Sequence, residues 1–215
     1  MVLFYVLLLI GIPFIYAAYL YPSLPEIIPT HFNIKGEADG FGGKDSIYLG
    51  PSIMGMASLF TYLFLTYIKK IDPKRSEQME DGLFQKFGFF TVLFLTALSM
   101  VILYATTHQG ISIEKLLFPL MGLAFAGMGL YMAKLKQNYF AGFKLPWTLD
   151  NVDNWNATHK IAGKVWLYGG IIQFFAGLAF SSVASFVIFF IAMVVMVLVP
   201  TIYSYRMFKN GNKVS

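Results

Sequence analysis

The stretch FVIFFIAMVVMVLVPTIY, residues 186–203, decides the fold class of this chain. It contains no charged side chain. As a helix it rises about 27 Å at ~1.5 Å per residue, close to the ~30 Å thickness of the hydrocarbon core of a bilayer. Its apolar residues do not alternate with polar ones, as those of a membrane β-barrel strand do. Because lipid offers the backbone no hydrogen-bond partner, this pattern predicts a transmembrane helix.

Five similar stretches precede it. The six predicted spans are residues 2–20, 47–68, 87–104, 116–132, 165–180 and 186–203, and none has a charged residue or a His in its interior. Over the whole chain 57% of residues are hydrophobic and only 13% are charged, which leaves too little polar surface for a soluble domain. The sequence therefore predicts an all-α polytopic membrane protein with six transmembrane helices.

The first span could be taken for a secretory signal peptide, since the small residues Ala17 and Ala18 follow an apolar run. No Lys or Arg precedes that run, however, and it is longer than a usual signal core. We expect a first helix that is retained.

The distribution of Lys and Arg predicts the orientation, because cytoplasmic loops carry an excess of basic residues. With loops assigned alternately to the two sides, one side holds thirteen of the 16 basic residues and the other holds three. The rich side has Lys69, Lys70, Lys74, Arg75, Lys86, Lys134, Lys136, Lys144, Lys160, Lys164, Arg206, Lys209 and Lys213; the poor side has Lys35, Lys44 and Lys115. We therefore expect both termini in the cytoplasm.

These basic loops also explain the net charge of +5. They face anionic lipid, where each basic residue contributes about 1 kcal/mol of attraction, so membrane lipid is an expected partner. No run of Lys and Arg interleaved with exposed aromatic residues indicates a nucleic-acid surface. Cysteine is absent, which excludes disulfides, a thiolate nucleophile and a Cys-based zinc site. We predict no cofactor.

The outer segment between spans one and two, residues 21–45, is rich in Pro and Gly. Pro22, Pro25 and Pro29 fix φ and remove amide donors, so its first part should be extended or turning. Asp39-Gly40 is a strong turn dipeptide. We expect a short, ordered loop outside the membrane.

Acidic and imidazole side chains in the outer loops suggest a metal site as an alternative. They are Glu26, His31, Glu37, Asp39 and Asp45, with His108 and Glu114 in a second outer loop. Imidazole and carboxylate would suit a divalent transition metal. No two His have a helix-compatible spacing, however, and carboxylates beside turns usually bond to backbone amides. We predict no metal site.

The long cytoplasmic loop between spans four and five, residues 134–164, is the second distinctive segment. Pro146 should interrupt a helix that continues from span four, and Thr148 or Asp150 can cap a new one. We expect an interfacial helix that leads into span five, with Trp147 and Trp155 at headgroup depth.

On that helix one face is formed by residues at steps of three and four, namely Val152, Trp155, His159, Ala162 and Trp166. Asp150, Asp153, Asn154 and Lys160 fall largely elsewhere. For His159 we expect a hydrogen-bonded packing role rather than that of a base.

These two loops resemble segments of a known family. LPEIIPTHFN at residues 24–33, followed by GEADG at residues 36–40 and by Lys44, resembles the N-terminal domain of unknown function that precedes many members of the bacterial SdpI family. The signature of the SdpI family itself is similar to the inner segment with Asn138, Gly142, Lys144, PWTL at residues 146–149, Trp155, His159 and Gly163. The chain then divides into an N-terminal two-span unit, residues 1–70, and an SdpI-like four-span unit, residues 84–208.

Two positions depart from the family pattern. Lys144 stands where the family typically has Arg, and Leu130 follows Gly129 where we would expect Asn. Lys lacks the planar bidentate fork of Arg, so any carboxylate or phosphate contact there would be weaker or different.

The resemblance implies a plasma-membrane protein of Gram-positive bacteria or similar organisms. Its relative protects the producer of a secreted toxin peptide and signals by capturing a repressor at the membrane. The outer loop would then meet an extracellular toxin peptide, and the inner loop a cytoplasmic repressor. The candidate binding residues are His31, Asn33, Asp39, Gly40 and Lys44 outside, and Asn138, Lys144, Pro146, Trp147, Thr148, Trp155 and His159 inside.

A small-solute or ion transporter is the main alternative. Broken helices around a cavity would explain Pro119, Gly122, Gly127 and Gly129 in span four and Gly163, Gly169, Gly170 and Gly177 around span five. Close helix packing through small residues is the explanation we favour, because such residues are common at helix interfaces. No intramembrane carboxylate or base is present to couple protons, which argues against a proton-driven pump but leaves passive or Na⁺-coupled transport open.

An enzyme has the least support from the sequence. The chain contains no nucleophile elbow, no His-Glu-x-x-His pair and no phosphate-binding Gly-Lys-Ser/Thr loop. A general-base pair of His159 with Asp150 or Asp153 would rest on residue inventory alone. We predict that the chain is not an enzyme.

Overall fold

The computed structural model describes residues 2–33, 35, 37–71, 82–108 and 113–211. Its helices are α1 (Val2–Leu20), α2 (Leu49–Ile71), α3 (Leu83–Thr107), α4 (Glu114–Met132), α5 (Pro146–Asp150), α6 (Val152–Ala179) and α7 (Ser182–Gly211). Within the described ranges six helical segments are long and apolar enough to cross a membrane. The predicted all-α polytopic fold is confirmed. Gly36, Lys74, Arg75 and Lys213, which entered the sequence interpretation, lie outside the described residues.

Helix boundaries differ most from prediction before span five. The predicted interfacial helix and the span at residues 165–180 form one continuous helix, α6. Its N-cap is Asn151, whose side chain accepts a 2.8 Å hydrogen bond from the Asn154 amide, rather than the predicted Thr148 or Asp150. Asn is among the best N-cap residues because its short carbonyl reaches the free amides of the first turn. Pro146 does begin a helix, but only the short α5.

The outer loop contains a β-hairpin, which the sequence does not predict. β1 (Ile27–Phe32) pairs antiparallel with β2 (Ala38–Gly43), with Ile27 opposite Gly43 and Phe32 opposite Ala38. Pro and Gly are depleted in strands, so the composition of residues 21–45 predicts turns rather than strands. An ideal Cβ on Gly40 would lie 2.8 Å from Cβ of His31, so the bulged register requires glycine there.

The hairpin is fixed to the ends of the helices by a small buried cluster. Ile28 of β1 packs with Ala17 of α1, Leu103 of α3 and Ile47, and all four are at most 3% exposed. A 3₁₀ helix, Lys44–Tyr48, then leads into α2. This cluster, which the hairpin shares with α1 and α3, gives the hairpin a packed base.

The six long helices pack mainly as two groups of three. α3 packs chiefly on α2 and α1, whereas α6 packs on both α4 and α7. The predicted boundary between residues 1–70 and 84–208 stays a prediction; in the packing, α3 lies with the first two helices. The hairpin lies at one end of the bundle, and residues 133–151, hereafter the motif loop, lie at the other.

Glycines bring α4 and α6 into close contact. An ideal Cβ on Gly129 would lie 2.5 Å from the Leu167 amide nitrogen and 2.7 Å from the Gly163 carbonyl oxygen, and one on Gly177 would lie 2.6 Å from Cδ of Pro119. Both helices run unbroken through these residues. The glycines thus mark backbone-to-backbone packing, and the broken helices of the transporter interpretation are absent from α4 and α6.

Candidate functional site

The motif loop begins with a turn that is closed by Asn138. Its Oδ1 accepts hydrogen bonds from the amides of Phe140 and Ala141, both at 2.8 Å, and its Nδ2 donates to the Lys136 carbonyl at 2.8 Å. The side chain is 1% exposed. Asn favours such turns because its amide group can mimic a backbone peptide. Asn138 therefore shapes the loop and offers no free polar atom to a partner.

His159 holds the middle of the motif loop against α6. Its Nδ1 lies 2.8 Å from the Trp155 carbonyl oxygen, and its Nε2 accepts a 3.0 Å hydrogen bond from the Phe143 amide. The ring is 1% exposed and stacks on the Trp155 indole with 4.0 Å between centroids. This pattern requires a neutral imidazole with its hydrogen on Nδ1. Both ring nitrogens are occupied by backbone groups rather than by Asp150 or Asp153, in agreement with the predicted packing role.

Gly142 allows this approach between loop and ring. Its φ is +105°, in a region that side-chain-bearing residues rarely adopt, and an ideal Cβ on it would overlap Nε2 of His159. Gly142 and His159 are therefore a matched pair: the absence of a side chain on one admits the ring of the other.

Thr148 and Pro146 form the start of α5. The Thr148 hydroxyl donates to the Phe143 carbonyl at 2.6 Å and accepts from the Leu145 amide at 2.9 Å, and the residue is fully buried. Pro146 occupies the first turn, where the missing amide hydrogen costs nothing. Both residues act on the conformation of the loop.

Trp155 is enclosed by the protein, and its predicted depth in the bilayer stays a prediction. It is 0% exposed, and its Nε1 donates a 2.7 Å hydrogen bond to the Leu135 carbonyl. A buried indole is stable when its N–H finds a partner, and here a carbonyl beyond the end of α4 provides one. The bond joins α6 to the first part of the motif loop.

Trp147 joins the motif loop to the last helix. Its Nε1 donates to the Ser204 hydroxyl at 2.7 Å, and its ring stacks on Phe208 at 5.6 Å between centroids. Ser204 in turn donates to Oδ1 of Asn154 at 2.7 Å, and Nδ2 of Asn154 donates to the Ser204 carbonyl at 3.0 Å. Ser204 is 0% exposed and Asn154 is 2% exposed.

Sequence reasoning missed this Trp147–Asn154–Ser204 network. Asn154 was placed away from the packed face of its helix, and Ser204 was not considered. The available signal was a small polar residue one position beyond the last predicted span, on a helix that is otherwise apolar for several turns. Buried polar groups are almost always paired, so such a residue indicates a partner on a neighbouring element.

The inner candidates that remain accessible are few. Lys144 and Pro146 are exposed, and Nζ of Lys144 makes only a long, 3.4 Å contact to the Phe140 carbonyl. Asn138, Thr148, Trp155 and His159 are buried. Any partner of the motif loop would therefore touch its surface around Lys144 and Pro146, which the buried residues hold in shape.

The five outer candidates all lie on or beside the hairpin. Nδ1 of His31 is 2.5 Å from Oδ1 of Asp39, which lies at the irregularity of the strand pair, and the residue opposite His31 is Gly40. Oδ1 of Asn33 accepts from the amides of Lys35 and Glu37 at 2.8 Å and 3.1 Å, closing the turn. These residues stabilise the hairpin and also present its polar edge.

Lys44 is fixed at the base of the hairpin. Its Nζ is 3.1 Å from Oε1 of Glu26 and 5.2 Å from the centre of the Tyr21 ring. The Glu26 carboxylate is 85% exposed, so solvent screens the pair and its contribution to stability is small.

The His, Asp and Glu side chains of the outer loops do not converge. No group of three or more that would hold a metal ion occurs within residues 2–33, 35, 37–71, 82–108 and 113–211. The His31–Asp39 pair stands by itself, His108 stacks on Tyr104, and Glu114 accepts a hydrogen bond from Ser182.

Comparison with known proteins gives two family matches. Residues 134–204 match the SdpI/YfhL protein family, and residues 8–55 match a domain of unknown function, DUF1648. The first match runs from the motif loop through α6 to Ser204, and the second from α1 through the hairpin into α2.

A protein from Archaeoglobus fulgidus described as uncharacterized is 35% identical over 51 residues, which are 24% of this chain and 28% of that protein. The chain thus matches less than a third of that relative's length. No solved structure matches. The chain is a multi-pass membrane protein in which residues 8–55 are similar to DUF1648 and residues 134–204 are similar to the SdpI/YfhL family.

Proposed function

We propose that this protein lies in the plasma membrane of its cell with both termini in the cytoplasm and confers resistance to an extracellular antimicrobial toxin peptide. The observation that carries the proposal is the hairpin, which is built on a buried cluster, is predicted to lie outside the membrane, and is joined in one chain to a segment similar to the SdpI/YfhL family. A binding surface that is already ordered loses little conformational entropy when a peptide docks on it.

The chemistry of the hairpin suits an apolar peptide. Ile27 is 66% exposed and Phe41 is 62% exposed, and the His31–Asp39 pair adds a polar edge. Aromatic side chains such as that of Phe41 are enriched at protein interfaces, and Ile27 adds apolar area beside it.

Expression in a toxin-sensitive strain tests this function. The wild-type chain should raise the inhibitory concentration of an apolar antimicrobial peptide, and Phe41→Ser and His31→Ala should each lower that protection at equal membrane abundance. Lys160→Ala, an exposed substitution on α6 away from the hairpin, is the control and should protect fully. Absence of protection against every related peptide, or full protection by both hairpin variants, contradicts the proposal.

We further propose that the motif loop captures a cytoplasmic regulator and thereby signals. The exposed Lys144 and Pro146 supply the contact, and the hydrogen bonds of His159 and Thr148 hold it in place. Lys144→Glu should abolish induction of a reporter that is placed behind the gene's own promoter, while peptide resistance persists. If the reporter is still induced in the Lys144→Glu variant, the proposal that the motif loop captures a regulator is contradicted.

The proposed orientation can be tested separately because the chain has no native cysteine. A single cysteine at Lys35 should react with an impermeant maleimide in intact cells, and one at Lys144 only after permeabilisation. We choose Lys144 rather than the nearby Asn138 for the inner label because Asn138 is only 1% exposed. The reverse pattern of labelling would contradict the orientation that we infer from the charge asymmetry.

We also keep the prediction that the chain is not an enzyme. What supports it is that both nitrogens of His159 are engaged by backbone groups, so the side chain is not available as a base. Any hydrolytic or transfer activity of the purified protein that is lost in a His159→Phe variant, assayed at a temperature at which the variant is still folded, would contradict this.

A further inference from the structure

A cavity of about 460 Å³ lies under the hairpin, between the two groups of helices. One wall is the end of the hairpin, residues 30–33. The other walls come from Ile102 of α3, from Glu114 and Met121 of α4, and from Phe186 and Phe189 of α7. Sites for small organic ligands are typically about 300–1,000 Å³, mostly apolar, with a few convergent polar groups. This cavity has that size and that character.

Glu114 is the polar group whose bonding is incomplete. The residue is 7% exposed, and its Oε1 accepts a 2.5 Å hydrogen bond from the Ser182 hydroxyl. Its Oε2 is buried and makes no hydrogen bond within the described part of the chain. A buried acceptor without a donor costs free energy that a donor from a ligand would recover. Glu114 thus differs from the exposed Glu26 and Asp39, which both have cationic or imidazole partners.

The neighbouring lysine does not neutralise this carboxyl group. Nζ of Lys115 donates to the Phe180 carbonyl at 2.5 Å and contacts the Leu178 carbonyl at 3.3 Å, where it caps the C-terminal end of α6. Carbonyls at a helix C-terminus attract a cation, so Lys115 has its own site. Among the described residues no Lys, Arg or His pairs with Glu114.

We propose that this cavity binds an apolar molecule that carries a primary ammonium group. The ammonium would lie beside the Glu114 carboxyl group in the cavity wall and donate to Oε2 once a rotation of the side chain exposes that atom, because a hydrogen-bonded cation stabilises a buried carboxylate. Phe186, Phe189 and Met121 would surround the apolar part. The ammonium group has two sources, a soluble amphipathic amine or the headgroup of an aminophospholipid. This site does not depend on the proposed immunity function.

Cysteine chemistry tests the carboxyl group directly. Met121→Cys places a single thiol in the cavity wall, and the protein is reconstituted in phosphatidylcholine nanodiscs. The rates of modification by 2-aminoethyl methanethiosulfonate, a cation, and by methyl methanethiosulfonate, which is neutral, are compared. Glu114→Gln should lower the cation-to-neutral rate ratio roughly tenfold, the effect of removing one nearby charge at partly shielded distances. Glu26→Gln, an exposed carboxylate, should leave the ratio unchanged; an equal ratio in all three proteins overturns the proposal.

Occupancy is measured with the same thiol and needs no change at Glu114. n-Octylamine should slow modification by the neutral reagent at concentrations at which 1-octanol does not. If nanodiscs that contain phosphatidylethanolamine show the same slowing without added amine, the membrane lipid is the source of the ligand. Slowing by octylamine alone identifies a soluble amine. Equal slowing by octylamine and octanol, or no slowing in any arm, overturns the proposal.

Discussion

At the scale of single residues, the motif loop is held by side chains that bond to the backbone. Asn138, Thr148 and His159 each use both their donor and their acceptor on amides or carbonyls of the loop and its flanks. A loop without regular secondary structure must satisfy its backbone groups in some other way, and here polar side chains do so. The residues that carry the family resemblance on this side are therefore mostly structural.

The contact between Gly142 and His159 gives the first prediction. Gly142→Ala should lower the free energy of unfolding by about 1–3 kcal/mol, because alanine is strained at positive φ and its methyl group would displace the imidazole. Thermal unfolding of the purified protein in detergent measures the change. Gly11→Ala is the control, since no atom lies within 4 Å of its ideal Cβ. A Gly142→Ala protein as stable as the control would refute the close contact.

His159 gives a second prediction at the same scale. His159→Phe keeps the ring stacked on Trp155 but leaves the Phe143 amide without its acceptor, so stability should fall by about 1–3 kcal/mol. Hydrogen exchange at the Phe143 amide should accelerate, which a mere packing defect elsewhere would not cause. Protection of this amide that is unchanged in the variant would show that Nε2 does not accept its hydrogen.

At the scale of elements, the closest contact is between α4 and α6. Gly129→Ala should weaken the contact between α4 and α6 more than Gly127→Ala does, although the two glycines are only two positions apart in the sequence. The methyl group at Gly129 would meet the Leu167 backbone and the Gly163 carbonyl, which cannot move alone. The nearest atoms to a methyl group at Gly127 belong to the Phe90 ring, which can rotate. Unfolding of both variants in a denaturing detergent series compares them. Equal midpoints would show that the helices are not in backbone contact.

The hairpin is an element that depends on its anchor. Ile28→Ala should cost about 2–5 kcal/mol locally, because Ile28 is 1% exposed and fills the cluster formed with Ala17, Ile47 and Leu103. Limited proteolysis of residues 21–45 should become faster, while Ile27→Ala, at a position that is 66% exposed, should leave the rate unchanged. Equal rates for the two variants would mean that the hairpin is not held by this cluster.

At the scale of the whole molecule, the last helix closes the motif loop. Ser204→Ala removes the acceptor of Trp147 and a donor to Asn154, so it should cost about 1–3 kcal/mol and loosen the loop from α7. Tryptophan fluorescence during unfolding reports the change. Thr201→Ala, whose hydroxyl bonds only to the Val197 carbonyl of its own helix, is the control and should differ little from wild type.

The sequence by itself determined the class of fold, the positions of the six spans and the two loops in which the family resemblance lies. The bilayer requires each transmembrane segment to have a certain length and few charges, and both can be read from that segment alone. The first predicted span, residues 2–20, accordingly agrees with α1 residue for residue. The packed position of His159 also agrees with its predicted place on one face of the helix, whereas the role of the glycines was left open.

Only the tertiary structure decided what depends on partners distant in the chain. The hairpin is held in place because Ile28 packs against Leu103. Trp155 can be buried because the Leu135 carbonyl accepts its N–H. Ser204 has a structural role because it hydrogen-bonds to both Trp147 and Asn154. The cavity above Glu114 likewise arises from β1, α3, α4 and α7 together. Such contacts join residues tens of positions apart, and no local pattern of hydropathy or charge specifies which of them meet.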